Sequence, residues 1–200
     1  MDFVSGTAKQ LGPALMQRIA RYRYQVFVEQ LDWPLACSNG VELDQFDQLD
    51  TLYVAAHVSG KLAGIARLLP TTRPYLLGEV FPQLLGGDAP PASARVWELS
   101  RFAATPPEGV QSGNAFGHMS SALAVQLLAE TLTAAANRGA AHLITVSPLG
   151  VERLLRKAGF TARRVGVPHI SGRDCLIACW IDTPAAVSLR PNYAGQFELA

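Results

Sequence analysis

The 200-residue chain is poor in charge and in cysteine. Asp, Glu, Lys and Arg make up 16% of it, where soluble domains carry about 25%. The 17 basic and 16 acidic residues nearly cancel, so net charge gives no electrostatic footprint for nucleic acid. A long apolar run is also missing. The longest unbroken one, Cys175–Ile181, has seven residues, against the roughly 20 that a helix needs to span a bilayer. The opening Met1-Asp2-Phe3 lacks the basic-then-apolar order of a secretory signal. Three cysteines (Cys37, Cys175, Cys179), an odd number without a CxxC pair, suit a reduced cytoplasmic protein. His57, His118, His142 and His169 show no metal-ligand spacing, and His169 with Cys175 makes no complete site, so no metal is expected. Internal repeats and low-complexity linkers are absent too. What remains is an apolar content of 49%, which supports a sizeable core and excludes disorder.

The pattern along the chain predicts a helix over 11–31, where Leu15, Ile19, Tyr22, Val26 and Phe27 recur at helical spacing after Pro13. A polar loop follows over 40–50. Strands are expected over 51–58 and 62–69, joined by the hairpin signal Ser59-Gly60-Lys61. Glycine and proline make 81–94 a loop, and a strand follows over 96–103. A long helix is expected over 114–138, stopped by Gly139. After it come a strand over 142–147, a helix from Pro148 to Gly159 and a last strand over 175–181. Val165-Gly-Val-Pro-His169 reads as a turn. The expectation is an α/β (α+β) sandwich with a mixed sheet, as a single domain over 1–183 with a loosely attached tail over 184–200 that begins at about Thr183.

The neutral total hides an asymmetry. Between Tyr24 and Gly60 there is no lysine or arginine, and Glu29, Asp32, Glu42, Asp44, Asp47 and Asp50 sum to −6. Between Arg138 and Arg173, seven basic residues oppose Glu152 alone, giving +6. Such separation fits two partners, a cation at the acidic loop and an acidic or phosphate-bearing one at the basic face; two solvated faces of unlike sign fit as well.

Four segments carry chemistry when taken together: Arg23-x3-Phe27-x5-Trp33; Glu42-x-Asp44-x-Phe46-Asp47; Arg67-Leu-Leu-Pro-Thr-Thr72, followed by Phe81; and Trp97-Glu-Leu-Ser-Arg-Phe102. In this combination, over about Leu11 to Ile181, the chain resembles the acyl-homoserine-lactone synthases of the LuxI family. It is most similar there to those making unsubstituted medium-chain signals such as octanoyl-homoserine lactone. The resemblance implies a mostly antiparallel mixed sheet flanked by helices, related to the N-acetyltransferase fold. It implies two substrates, S-adenosylmethionine and an acyl thioester on acyl carrier protein, with no separate cofactor; a monomer is expected, although the sequence does not fix the oligomeric state. The family's invariant positions fall on Arg23, Phe27, Trp33, Asp44, Asp47, Arg67, Phe81, Glu98 and Arg101.

The residue types can be argued separately. A sulfonium and an ammonium are drawn to aromatic faces by about 0.5–2 kcal/mol and to carboxylates; Phe27, Trp33, Asp44 and Asp47 offer both. The helical spacing of Phe27 alone fits core, whereas Trp33 lies past the helix beside Pro34 and the acidic loop. A substrate carboxylate suits a guanidinium fork, with Arg23, Arg67 and Arg101 as candidates. Strict alternation puts Trp97, Leu99 and Arg101 on one face and Glu98, Ser100 and Phe102 on the other, so Glu98 faces away from Arg101 unless a bulge intervenes. Glu98 is either a structural ion-pair partner of an arginine or a base for the substrate ammonium, directly or through water, and both can hold. Taken with the resemblance, Glu98 and Arg101 are the expected catalytic pair, with a backbone N–H near Ser100–Phe102 or a side chain for the oxyanion.

An apolar acyl pocket is expected from Leu99, Ser100, Phe102, Met119, Leu123, Thr145, Val146, Ser147, Leu149 and Leu155, although the apolar members equally suit plain core. The resemblance puts Thr145 and Ser147 where a 3-oxo group is sensed. Arg153, Arg156, Lys157, Arg163 and Arg164 suit docking of the acidic carrier protein. Ser147-Pro-Leu-Gly is no nucleophile elbow. Two rivals stand beside this reading. One is an acetyltransferase-type N-acyltransferase using coenzyme A, against which the glycines of Gln111-Ser-Gly-Asn-Ala-Phe-Gly117 are misplaced for a pyrophosphate loop. The other is a silent sensor of S-adenosylmethionine or acyl lactone, which has no need of Glu98 with its arginines.

Overall fold

The computed structural model describes residues 1–105, 121–172 and 174–185. Its frame is a seven-stranded sheet of β1 (Asp2–Thr7), β2 (Leu52–Val58), β3 (Lys61–Pro70), β4 (Val96–Ala104), β5 (His142–Pro148), β6 (Ala162–Ser171) and β7 (Asp174–Asp182). The spatial order is β1-β2-β3-β4-β5-β7-β6. Every joint is antiparallel except β4–β5, which is parallel. The mixed, mostly antiparallel sheet expected from the sequence is therefore present.

Short-range chemistry explains most elements. Ser59 and Gly60 both take positive φ, 51° and 77°, as a two-residue hairpin turn requires. Gly12 at φ 79° separates α1 (Ala8–Leu11) from α2 (Pro13–Arg23), which starts on its proline. The expected helix then continues as a π-helical stretch, Tyr24–Gln30. α3 (Leu76–Val80) and a 3-10 turn (Pro82–Leu85) follow β3, so the stretch from Phe81 is more ordered than a loop. α4 (Ala122–Ala136) is capped by Ser121, whose Oγ accepts from the Ala124 amide at 3.1 Å. The earlier part of the expected long helix lies outside the described residues.

Several expectations are corrected. β1 is an additional edge strand. Val165-Gly-Val-Pro-His169 is no turn: it runs within β6, with a register shift between Val165 and His169. An edge strand needs no ladder bond on its outer side and so tolerates Gly166 (φ 63°) and Pro168. Pro148 ends β5, and α5 (Val151–Lys157) starts after the left-handed Gly150. Thr183 is anchored rather than loose, buried with its hydroxyl donating to the Ala140 and Ala141 carbonyls at 2.7 and 2.9 Å.

One sheet face buries Leu52, Val54, Leu68, Trp97, Leu99, Leu143 and Ile177 against Leu123, Leu127 and Leu132 of α4 and Leu155 of α5. The other face buries Tyr53, Ala55 and Ile65 against Leu15, Ile19 and Phe27. Further along, it covers Leu69, Ile144 and Ala178 with Leu77, Leu84 and Phe46. Each fully buried leucine contributes about 1.5–3 kcal/mol, so both faces are held by packing. β4 and β5 pair only through Val96–Glu98 and His142–Ile144. Beyond those rows the two parallel strands leave each other, at the level where the charged residues gather.

Candidate active site

The site is built around a break in β4. Arg67 pairs with Ser100 and Ile65 with Ala103, so Ala66 alone faces both Arg101 and Phe102. This is a β-bulge, and Arg101 takes φ 49° within it. Before the bulge the expected alternation holds, with Trp97 and Leu99 on the α4 face and Glu98 and Ser100 on the other. After it the two expected positions exchange. Phe102 packs on the α4 face, and Arg101 turns to the acidic loop on the face of Glu98.

There Arg23, Arg67 and Arg101 meet Glu42, Asp44 and Asp47. Arg23 donates from Nε to Glu42 Oε2 at 2.5 Å and from Nη1 to Asp47 Oδ1 at 2.7 Å. Arg101 Nη2 donates to Glu42 Oε1 and to Asp44 Oδ2, both at 2.9 Å. Arg67 Nη1 donates to Asp44 Oδ1 at 2.6 Å and its Nε to Ser100 Oγ at 3.0 Å. Tyr53 donates its hydroxyl to Asp47 at 2.8 Å. Three guanidiniums against three carboxylates sum formally to zero. The −6 of the acidic segment is thus mostly neutralised in space, because Arg73 also pairs with Asp50. Asp44 and Asp47 are committed to arginines, and a cationic ligand meets a balanced network rather than free carboxylates.

The network sets the protonation of its members. Burial pushes the Asp47 carboxyl up, but the charges of Arg23 and Arg67, with hydrogen bonds from Arg23 and the Asp44 amide, hold it well below the usual carboxylate range. Burial also raises Glu42, and hydrogen bonds from Arg101 and Arg23 more than offset it. Glu42 is the residue that sequence reasoning undervalues. Its chain neighbourhood suggests loop charge, yet it is 1% exposed and bridges two arginines. Its alternation with Asp44 was the available signal.

Aromatic rings flank the ion pairs. The π-helical stretch ends with the Leu31 and Trp33 amides donating to the Val26 and Phe27 carbonyls. That fold-back stacks Trp33 on Phe27, with ring centroids 5.0 Å apart and planes 25° from parallel. Arg101 lies 5.7 Å from the Phe27 ring centre. Phe27 is therefore core that also borders the ion-pair network, and Trp33 presents the exposed ring. Phe81 closes α3 and packs on the cluster around Leu77 and Leu84.

Glu98 is placed differently. It is fully buried, and its oxygens accept backbone N–H donors, Leu77 at 2.6 Å and Leu76 at 3.1 Å. No ion pair to it occurs among the described residues, so the structural ion-pair reading is not what holds it. Burial pushes it up to about 7; the Leu77 and Leu76 amides and the Arg67 charge pull it down less strongly, and Asp44 adds to the rise. A carboxyl that titrates near neutrality is poised for proton transfer.

The expected acyl-pocket residues are not all brought together. Leu99, Phe102, Leu123 and Leu155 meet on the α4 face. Thr145 and Ser147 alternate with Leu143 on β5 toward that face, their hydroxyls 3.5 Å apart. Val146 faces the opposite cluster because one step along a strand reverses direction. Ser100 is bound to Arg67, and Leu149 is 48% exposed. Met119 and Gln111–Gly117 lie outside the described residues. Of the basic residues, Arg153, Arg156 and Lys157 are exposed along α5, and Arg164 pairs with Glu152 on that side. Arg163 is separated from them. It lies over the Trp180 ring at 5.4 Å, and Trp180 packs on the opposite face of the sheet.

The model of the autoinducer synthase family matches residues 9–188. The chain belongs to that family. It is 46% identical over 187 residues to an acyl-homoserine-lactone synthase of Acinetobacter nosocomialis, covering 91% of this chain and all of the relative. It is accordingly an enzyme, an acyltransferase. Its fold superposes on TofI in a ternary complex with an inhibitor and MTA, with TM-score 0.77 and 42% identity, covering 96% of this chain and 98% of TofI. BjaI, a CoA-dependent acyl-homoserine lactone synthase solved with SAM and isopentyl-CoA, also has TM-score 0.77, at 26% identity, covering 90% and 82%. A protein assigned as an N-acetyltransferase, from Lactobacillus plantarum, shares the fold alone, with TM-score 0.57 and 16% identity. Among the described residues, no helix is long and apolar enough to cross a membrane.

Proposed function

We propose that this synthase makes a medium-chain N-acyl-L-homoserine lactone, of the octanoyl class, from S-adenosylmethionine and an acyl thioester on acyl carrier protein. The observation that carries the reading is Glu98, a buried carboxyl held by amides beside a charge-balanced arginine network. Trp33 and Phe27 take the sulfonium side of the nucleoside. Arg23 Nη2 and Arg67 Nη2, buried and without hydrogen-bond partners, are donors of the kind a substrate carboxylate satisfies.

Glu98 accepts one proton from the substrate's α-ammonium. The freed nitrogen attacks the thioester carbonyl, and a backbone N–H at the Ser100–Phe102 bulge bears the oxyanion charge. The C–S bond breaks, the nitrogen's second proton goes to the departing thiolate, and an amide remains. The substrate's carboxylate oxygen then attacks the carbon beside the sulfonium. That C–S bond breaks with its electrons on sulfur, releasing neutral methylthioadenosine and closing the lactone. Holding the chain bent makes this step intramolecular and favourable without a protein nucleophile.

The exposed cations Arg153, Arg156, Lys157 and Arg164 favour an acidic carrier protein over free coenzyme A. Incubation with S-adenosylmethionine and either octanoyl carrier protein or octanoyl-coenzyme A, followed by mass analysis, tests both halves. Lactone plus methylthioadenosine, faster from carrier protein, is expected. Acyl transfer without methylthioadenosine overturns the synthase mechanism, and preference for coenzyme A overturns the carrier assignment.

A further inference from the structure

The way Glu98 is held suggests a task for α3, which supplies no side chain to the ion-pair network among the described residues. The Glu98 backbone is fixed in the ladder, opposite Leu69 on β3 and Ile144 on β5. Its side chain then reaches α3, where the Leu77 amide donates to Oε1 and the Leu76 amide to Oε2. One donor on each oxygen fixes the carboxylate plane, which otherwise rotates freely about its last torsion. α3 itself is anchored: Leu77 is fully buried, and the Phe81 amide donates to the Leu77 carbonyl at 3.0 Å. The Tyr75 hydroxyl is turned away and donates to the Pro91 carbonyl at 2.8 Å, so it does not compete for Glu98.

We propose that the backbone amides of Leu76 and Leu77 are positioning groups for the reaction, fixing the orientation of Glu98 and setting its basicity. This rests on Glu98 acting as the base. The physical case is a balance. A buried carboxylate with no donors stays protonated, while one gripped by guanidiniums, as Asp47 is, stays ionised and is too weak a base. Two neutral N–H donors stabilise the anion by an intermediate amount, since each lacks a full charge. Among the described residues, the charged and titratable groups that act on Glu98 are Arg67 from β3, Asp44 from the acidic loop and Tyr75 ahead of α3. Arg67 and Asp44 bear opposite signs, and Tyr75 is a neutral phenol that burial, then Glu98, pushes up to about 12. The amides are thus the groups that can be removed without changing charge.

Leu76→Pro removes one donor where proline suits the first helical position, and Tyr75 ahead of it has the extended ψ of 161° that proline requires. The acid limb of kcat/KM is expected to move up by about one pH unit, a loss of roughly tenfold at pH 6.5, with KM for S-adenosylmethionine little changed. Replacing Leu77 by its α-hydroxy acid, which exchanges the amide for an ester, removes the shorter bond and should move the limb further. This second variant decides the matter if the proline variant does not fold. A folded variant that has lost thermal stability but keeps the wild-type limb overturns the proposal, leaving the amides a structural role only. If the wild type shows no limb near neutrality, or Glu98→Gln stays active, the base assignment itself fails, and the two failures are distinguishable.

Discussion

Asp47 and Glu98 are carboxyls buried on the same face of one sheet, and burial raises both. They end on opposite sides of the ordinary range because their neighbours differ. Asp47 lies between Arg23 and Arg67 and stays ionised as part of a frame. Glu98 has two amides and no ion pair among the described residues, and burial pushes it up to about 7. One sheet face therefore buries one acid held ionised and another raised toward neutrality, and the count of nearby guanidiniums separates the two.

Glu98→Gln should break the comparison most severely. Turnover is expected to fall by about 10²–10⁴-fold with an unchanged circular dichroism spectrum, and an unchanged rate rules out the base. Asp47→Asn should act on stability instead. Removing one partner of a buried pair costs about 3–5 kcal/mol, read as a lower urea midpoint.

The pH dependence should divide the same way. Asp47 and Glu42 have lowered values, so the stability they contribute is present above the unfolded carboxylate pKa and lost as pH falls below about 4. Glu98 is raised, so its contribution is present below about 4.5 and lost as pH rises toward about 7. Stability of wild type minus Glu98→Gln, measured from pH 4 to 8, should decline across that interval. A flat difference contradicts the assignment of Glu98 as the titrating group.

On the far side of the molecule, reversing Arg153 and Arg156 to Glu should raise KM for octanoyl carrier protein by roughly tenfold at low salt and less at high salt. Arg163→Glu should do less, since that residue faces Trp180. An equal effect of the two would mean that the carrier contacts both faces. The smallest effect is expected from Trp33→Leu, which should raise KM for S-adenosylmethionine about two- to fivefold, the range of one exposed cation–π contact, and leave kcat nearly unchanged.

Much of the fold was legible because its signals are local. The β2–β3 hairpin follows from Ser59-Gly60, the core strands from apolar runs, and α2 from its 3.6-residue stripe. β6 was not legible, since an edge strand with Gly166 and Pro168 resembles a turn when only neighbours in sequence are read. The resemblance pointed to charged residues that the structure brings together, Arg23, Asp44, Asp47, Arg67 and Arg101, but not to their internal geometry. Strict alternation along β4 holds only without a bulge; the bulge allowed for there is present and exchanges the faces of Arg101 and Phe102, and it is decided by the partner strand. Val146 and Arg163 were grouped with residues one step away that point to the opposite side of the sheet.

The order of amino acids alone determined where most helices and strands form, which side chains are apolar enough to be buried, and which chemical groups are available. Tertiary structure alone decided which acid answers which base, across separations of 19 residues for Arg23 with Glu42 and 59 for Arg101 with Glu42. It also decided that Glu98 has no ion-pair partner among the described residues. The reason is that periodicity is set by each residue's near neighbours, whereas the electric environment of a buried charge is set by whatever distant segments pack around it.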